Sequence, residues 1–141
     1  MPNLSVEIVS PDQRVFQGEA QGVRAPGVEG SFEVLYNHAP MIAAFGVGPI
    51  RVTMAAGDEI YYATSGGFLE VIDNRVTVLA QTAEPASDID VERARTAEQR
   101  ALERLRLAEA DADRQEAAKA LERARNRVRV SMGQVGRRAP V

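Results

Sequence analysis

Between Ser87 and Met132 the chain has neither glycine nor proline, whereas nine of its 11 glycines, six of its seven prolines and all seven aromatic residues lie before Ser87. Glycine and proline interrupt regular structure, so a chain that sorts them this way does not have one architecture throughout. The charge divides at the same place. Residues 1–86 carry four Arg against ten Asp and Glu, net −6; residues 87–141 carry 13 Lys and Arg against ten acids, net +3, which together give the −3 of the whole. The sequence therefore predicts two domains, 1–86 and 87–132, followed by a flexible basic tail, 133–141.

Several kinds of chemistry are excluded at once. The 141 residues include no cysteine, no tryptophan and a single histidine, so there is no disulfide framework, thiol nucleophile or cysteine-held metal centre. No apolar run reaches the ~18 residues of a membrane span, and the first residues lack the pattern of a secretory signal. A reducing, cytoplasm-like compartment is the expectation.

The first part reads as β. Leu4, Val6 and Ile8 alternate with Ser5 and Glu7, and Ile50, Val52 and Met54 alternate with Arg51, Thr53 and Ala55. Val76, Val78 and Ala80 alternate with Thr77, Leu79 and Gln81, where both faces are fairly apolar. Short period-two runs separated by turn residues such as Pro26-Gly27, Gly48-Pro49 and Asp73-Asn74 are the signature of an antiparallel β-sandwich or barrel. Ser65-Gly66-Gly67 reads as a two-glycine hairpin turn ahead of the strand Phe68-Leu69-Glu70-Val71.

The second part reads as helix. Ser87-Asp88-Ile89-Asp90 supplies a cap and early acids. Apolar residues then recur at spacings of three and four: Ala94, Ala97, Ala101, Leu105, Ala108 and Ala112, then Ala117, Ala120, Leu121, Ala124 and Val128. The stretch Ala108–Asp113 is the expected turn of an antiparallel two-helix hairpin, although a single long helix satisfies the same pattern. Alanine favours helix strongly but buries little apolar area, which suits helices that persist while their contacts stay weak, an element that docks and undocks; the plainer reading is a small, stable antiparallel helical hairpin.

Few residues could carry catalysis. His38 sits in the loop Tyr36-Asn37-His38-Ala39-Pro40, Ser65 lacks the flanking glycines of a nucleophile elbow, and the acids show no metal-ligand spacing. No phosphate-binding G-x-x-x-x-G-K-[ST] loop occurs, and the one lysine, Lys119, is mid-helix. Neither an enzyme nor a metal protein is expected. Arg123, Arg125, Arg127, Arg129, Arg137 and Arg138 face only Glu122 at the C-terminal end. They read as a solvated basic helix end, as a phosphate site, or as a surface for an acidic protein partner. Nucleic acid ranks last, because no aromatic side chain is there for stacking.

Together these features carry a resemblance. Asn37-His38-Ala39-Pro40-Met41-Ile42, Ser65-Gly66-Gly67-Phe68-Leu69-Glu70-Val71, Val76-Thr77-Val78-Leu79-Ala80-Gln81 and Asp88-Ile89-Asp90-Val91-Glu92-Arg93-Ala94 resemble, in order and spacing, signatures of the epsilon subunit of F-type ATP synthases. The resemblance spans Leu4 to Val130. It implies a non-catalytic central-stalk subunit that couples rotation of the proton-driven c-ring to ATP synthesis. Its sandwich would contact the gamma subunit and the c-ring, and its mobile hairpin would inhibit ATP hydrolysis when extended towards the alpha and beta subunits. The protein would be peripheral to the membrane through the complex, on the cytoplasmic face of the cell inner membrane or the stromal face of a thylakoid. The c-ring end would comprise Ser31, Glu33, His38, Met41 and Ile42. The family usually has Gly where this chain has Glu33, and Pro-Gly where it has Tyr36-Asn37.

No cofactor is implied as a requirement, but some members of that family bind regulatory ATP on the folded hairpin through Ile/Leu-Asp-x-x-Arg-Ala. Ile89, Asp90, Val91, Glu92, Arg93 and Ala94 match it, and by the same resemblance Glu84, Arg123 and Arg127 join the site. Ile89 and Ala94 would offer apolar surface to the base, and Arg93, Arg123 and Arg127 would surround the phosphates. The bland reading of the same residues is a helix-start acid, Asp90, salt-bridged to Arg93. The rival to the whole assignment is a free-standing adaptor or nucleic-acid-binding protein that uses its basic helices.

Overall fold

The computed structural model describes residues 2–133. The chain divides into two compact units, Met1–Pro85 and Ala86–Val141. The basic tail expected over 133–141 lies, beyond Gly133, outside the described residues.

Nine strands build the first unit: β1 (Leu4–Val9), β2 (Arg14–Ala25), β3 (Phe32–Leu35), β4 (Met41–Phe45), β5 (Gly48–Met54), β6 (Glu59–Thr64), β7 (Gly67–Ile72), β8 (Arg75–Ala80) and β9 (Ala83–Pro85). The hydrogen-bonded order is β4-β7-β8-β1-β2-β5-β6-β9, with β3 also on β2. The alternation read from the sequence sets the inner faces. Leu4, Val6, Ile8, Ile50, Val52, Leu69 and Val78 are fully or almost fully buried, and strands from opposite ends of the order share one apolar cluster. A sheet whose remote strands meet in one core must fold over as two layers.

The 12-residue β2 makes that fold. Its first half pairs with β1, and its second half lies against β3 and β5 after an irregularity between Ala20 and Gly22. Such a bulge sharpens the local twist and bends the strand. At the other end of the order, Phe45 bridges to Gly27, and Gly46 N–H donates to the Pro26 carbonyl at 2.9 Å.

Two expectations change here. The β1–β8 pair is parallel, unlike the other strand pairs; the two strands are far apart in sequence, and the strands between them provide the crossover. The Gly66-Gly67 pair is not a hairpin turn, because β6 pairs with β5 and β9 while β7 pairs with β4 and β8. It carries the chain between layers, with φ of +131° and +155°. A side chain at Gly67 would collide with the Leu79 carbonyl oxygen and approach Phe45 Cζ to 2.9 Å. Gly66 N–H donates to the buried Thr64 hydroxyl at 3.2 Å.

The second unit opens with a 3-10 turn over Ala86–Asp88, followed by α1 (Val91–Leu107) and α2 (Asp111–Ser131). The helices pack together as an antiparallel hairpin: Arg95 near the start of α1 reaches Met132 at the end of α2, and Arg125 lies 3.8 Å from Glu98. The turn is three residues, 108–110, shorter than expected, because Asp111 and Asp113 already sit in the first turn of α2. Acids there are favoured by the helix dipole. Ala94, Ala101, Ala117, Leu121, Ala124, Asn126 and Val130 are buried, so alanine does dominate the seam. No helix among the described residues is long and apolar enough to cross a membrane.

Asp90 is the N-cap of α1, its carboxylate accepting from the backbone N–H of Glu92 at 3.1 Å and Arg93 at 3.2 Å. Asp90→Ala should destabilise the helical unit by about 0.5–2 kcal/mol, and Asp90→Ser should recover most of it. Helical circular dichroism on heating measures this; equal melting of both variants and wild type would refute the capping role.

Candidate functional site

On the hairpin, Arg93, Ala97 and Arg100 stand at i, i+4 and i+7 and so share one side of α1, while Glu92 and Thr96 form the adjoining row. Arg127 of α2 completes a cleft of about 390 Å³ lined by Glu92, Arg93, Thr96, Ala97, Arg100 and Arg127. Ala97 is small, and the lining holds Arg93, Arg100 and Arg127 with Glu92. The Glu92 carboxylate lies 3.4 Å from Arg95. Among the described residues no ion pair engages the Arg93 or Arg100 guanidinium. Planar five-donor groups converging from two helices suit the oxygens of a phosphate chain.

The residues expected at the nucleotide site are distributed unevenly. Arg93 and Arg127 line the cleft. Arg123 does not; it lies 3.7 Å from Glu116 on its own helix. Ile89 and Ala94 are 8% and 0% exposed, so they do not offer the apolar surface assigned to them. Both side chains are buried instead. Asp90 caps α1, and among the described residues its carboxylate forms no ion pair with Arg93, unlike the plain reading of the two residues. Glu84 lies on β9 in the other unit, half-buried. Arg100 and Thr96 were missed, although the spacing Arg93–Ala97–Arg100 is a one-face pattern that could have found them.

On the sandwich, the five expected contact residues do not form one cluster. Ser31 precedes β3 and His38 follows it, so they sit at opposite ends of that strand. Glu33 lies on β3, 3.4 Å from Arg51 of β5. His38, Met41 and Ile42 belong to the loop and strand that follow. Met41 is half-buried against the core, whereas Ile42 is 71% exposed. His38 N–H donates to the Leu35 carbonyl at 3.1 Å, and its ring Nδ1 lies 2.7 Å from the Ala39 carbonyl.

A second surface lies beside Ile42. Ala44 is opposite Phe68, Phe68 opposite Leu79, and Leu79 opposite Val9. Directly opposed residues project from the same face, and Phe68 and Leu79 are 57% and 55% exposed. An apolar row thus crosses four strands on the outer face, with Glu70 and Glu7 in the neighbouring row. Its one sequence signal was the apolar character of both faces of β8.

The described residues thus form a β-sandwich that carries an exposed apolar row and a two-helix hairpin that carries an arginine-lined cleft, the build of a two-domain α plus β chain. Residues 3–86 match the family model described as the ATP synthase Delta/Epsilon chain beta-sandwich domain, and residues 87–132 match that of its long alpha-helix domain. The ATP synthase epsilon chain of Salinibacter ruber is 62% identical over 143 residues, covering 96% of each chain. That of Syntrophomonas wolfei is 43% identical over 126 residues, covering 89% of this chain and 92% of the relative. A chain in the Euglena gracilis mitochondrial ATP synthase structure (OSCP/F1/c-ring) shares the fold at a TM-score of 0.80 and 24% identity, covering 89% of this chain and 80% of its own. The chain belongs to the epsilon subunits of F-type ATP synthase, which are non-catalytic stalk subunits of that rotary complex.

Proposed function

We propose that this subunit couples c-ring rotation to ATP synthesis by docking its sandwich on the gamma subunit through the Ala44–Phe68–Leu79–Val9 row, with the His38–Ile42 end towards the c-ring. The observation that carries the reading is the row itself: Phe68 and Leu79, large and exposed, stand opposite one another on one sheet face between Ala44 and Val9, and exposed apolar residues grouped in this way mark an interaction surface. The central stalk/c-ring assembly of Tetrahymena thermophila mitochondrial ATP synthase contains a chain of the same fold, which supports the assignment of partners. The subunit would then be peripheral to the membrane, held at the cytoplasmic face of the inner membrane by the complex.

The test is a Phe68→Asp, Leu79→Asp double variant. Both side chains are exposed, so the sandwich should fold normally. Central apolar anchors often carry ~2 kcal/mol or more of binding each, so co-purification with gamma and the catalytic head should fall at least about tenfold. Full recovery with the complex would reject the docking face.

The cleft supports a second, compatible role for the folded hairpin, the sensing of ATP; with it we propose that an extended form inhibits hydrolysis through the alpha and beta subunits, as the family resemblance implies. Arg93, Arg100 and Arg127 fit the phosphate chain. Ligand held by both helices stabilises the folded hairpin by RT ln(1 + [L]/Kd), about 2.7 kcal/mol at a hundredfold excess over Kd.

A further inference from the structure

The loop between β3 and β4 carries His38 and leads into Ile42, and it is tied to a distant hairpin. Asp73 and Asn74, both at positive φ (+48° and +61°), make the two-residue turn between β7 and β8, where Ile72 pairs with Arg75. That turn is anchored in the sheet, because Ser5 N–H of β1 donates to the Asn74 carbonyl at 2.9 Å. From this base the Asn74 side chain reaches across. Its Oδ1 accepts the Asn37 backbone N–H at 2.6 Å, and its Nδ2 donates to Asn37 Oδ1 at 3.3 Å. Asn37 itself is left-handed, at φ +66°, a conformation that asparagine tolerates better than most residues.

We propose that Asn74 is a positioning residue for the docking end of the sandwich: its amide clasps the left-handed Asn37 and fixes the loop that presents His38 and Ile42 to the partner surface. The proposal rests on the reading that this end docks. A fixed loop spares the complex the cost of ordering it on binding. The two bonds of the clasp are unequal in function. The short bond uses only the backbone of Asn37, so residue 37 needs little beyond a left-handed conformation, whereas residue 74 must supply a side-chain acceptor.

That asymmetry gives the test. Asn74→Gly keeps the turn's positive φ but removes the clasp; Asn74→Asp keeps the acceptor; Asn37→Gly keeps both the donor and the left-handed backbone. Amide hydrogen exchange of the full chain should show residue 37 losing protection by about two- to tenfold in Asn74→Gly, the range set by one hydrogen bond. Asn74→Asp and Asn37→Gly should stay near wild type. In competition with wild type for reassembly into epsilon-depleted ATP synthase, Asn74→Gly should be outcompeted by a similar factor, with Asn74→Asp restoring parity. Ile42→Asp separates the two claims. Unchanged protection in Asn74→Gly overturns the clasp. Lost protection with undiminished reassembly, while Ile42→Asp is excluded, overturns the positioning role. If Ile42→Asp also reassembles normally, the docking reading falls and the proposal falls with it.

Discussion

Gly67→Ala should destabilise the sandwich by about 3–5 kcal/mol, combining overpacking with an unfavourable backbone conformation. The new methyl would collide with the Leu79 carbonyl oxygen, which is backbone of the adjacent strand and cannot rotate away, and would stand 3.0 Å from Ala80 Cα. Relief requires moving β7 from β8, and with it Leu69 and Val71 from the core. A domain of this size has about 5–15 kcal/mol in total, so the variant should melt roughly 15–30 °C lower. Gly46→Ala is the control: a methyl there meets nothing within 4 Å, and its melting should stay close to wild type. Thermal unfolding of the three proteins decides the matter, and wild-type melting of Gly67→Ala would show that β7 and β8 are not held tightly together at this point.

The second large effect concerns the cleft. If the hairpin binds ATP, Arg93→Ala should weaken binding by about ten- to a hundredfold, since a charge-assisted hydrogen bond contributes ~1.5–3 kcal/mol. Arg93→Ala combined with Arg127→Ala should abolish measurable heat in calorimetry. Arg123→Ala should leave binding nearly intact, because Arg123 is outside the cleft and beside Glu116. The motif alone predicts a different result, with Arg123 and Arg127 equivalent. Equal losses for Arg123→Ala and Arg127→Ala would mean that the ligand-bound hairpin rearranges around the phosphates. No binding by wild type would remove the site.

What the sequence disclosed followed from locality. Leu4, Val6 and Ile8, or Val76, Val78 and Ala80, state their inward phase by alternation alone, and the burial follows it. Asp90 announced the start of α1 because capping is local chemistry. Gly66-Gly67 was misread for a physical reason: a turn within one sheet and a crossing between layers need the same backbone freedom, and only the long-range pairing distinguishes them. The parallel β1–β8 pair and the Asn37–Asn74 clasp are likewise contacts between distant segments. In the hairpin, Val130 is buried between exposed or half-exposed residues, and its neighbours Arg127 and Arg129 disguised it as part of a basic surface. The candidate site was half legible. The motif drew attention to Arg93 and Arg127 but could not show that Ile89 and Ala94 are consumed by packing, or that Arg100 shares the cleft.

The strand shared by both layers has a mechanical consequence. Sandwich layers held only by side-chain contact can slide on one another when pushed from opposite sides. Here β2 is hydrogen-bonded to β1 in one layer and to β3 and β5 in the other, so sliding would have to break ladders at both ends of one continuous backbone. A tightly packed interior adds low compressibility. In the proposed coupling role, a unit built this way would turn as a solid key and resist internal shear between its faces.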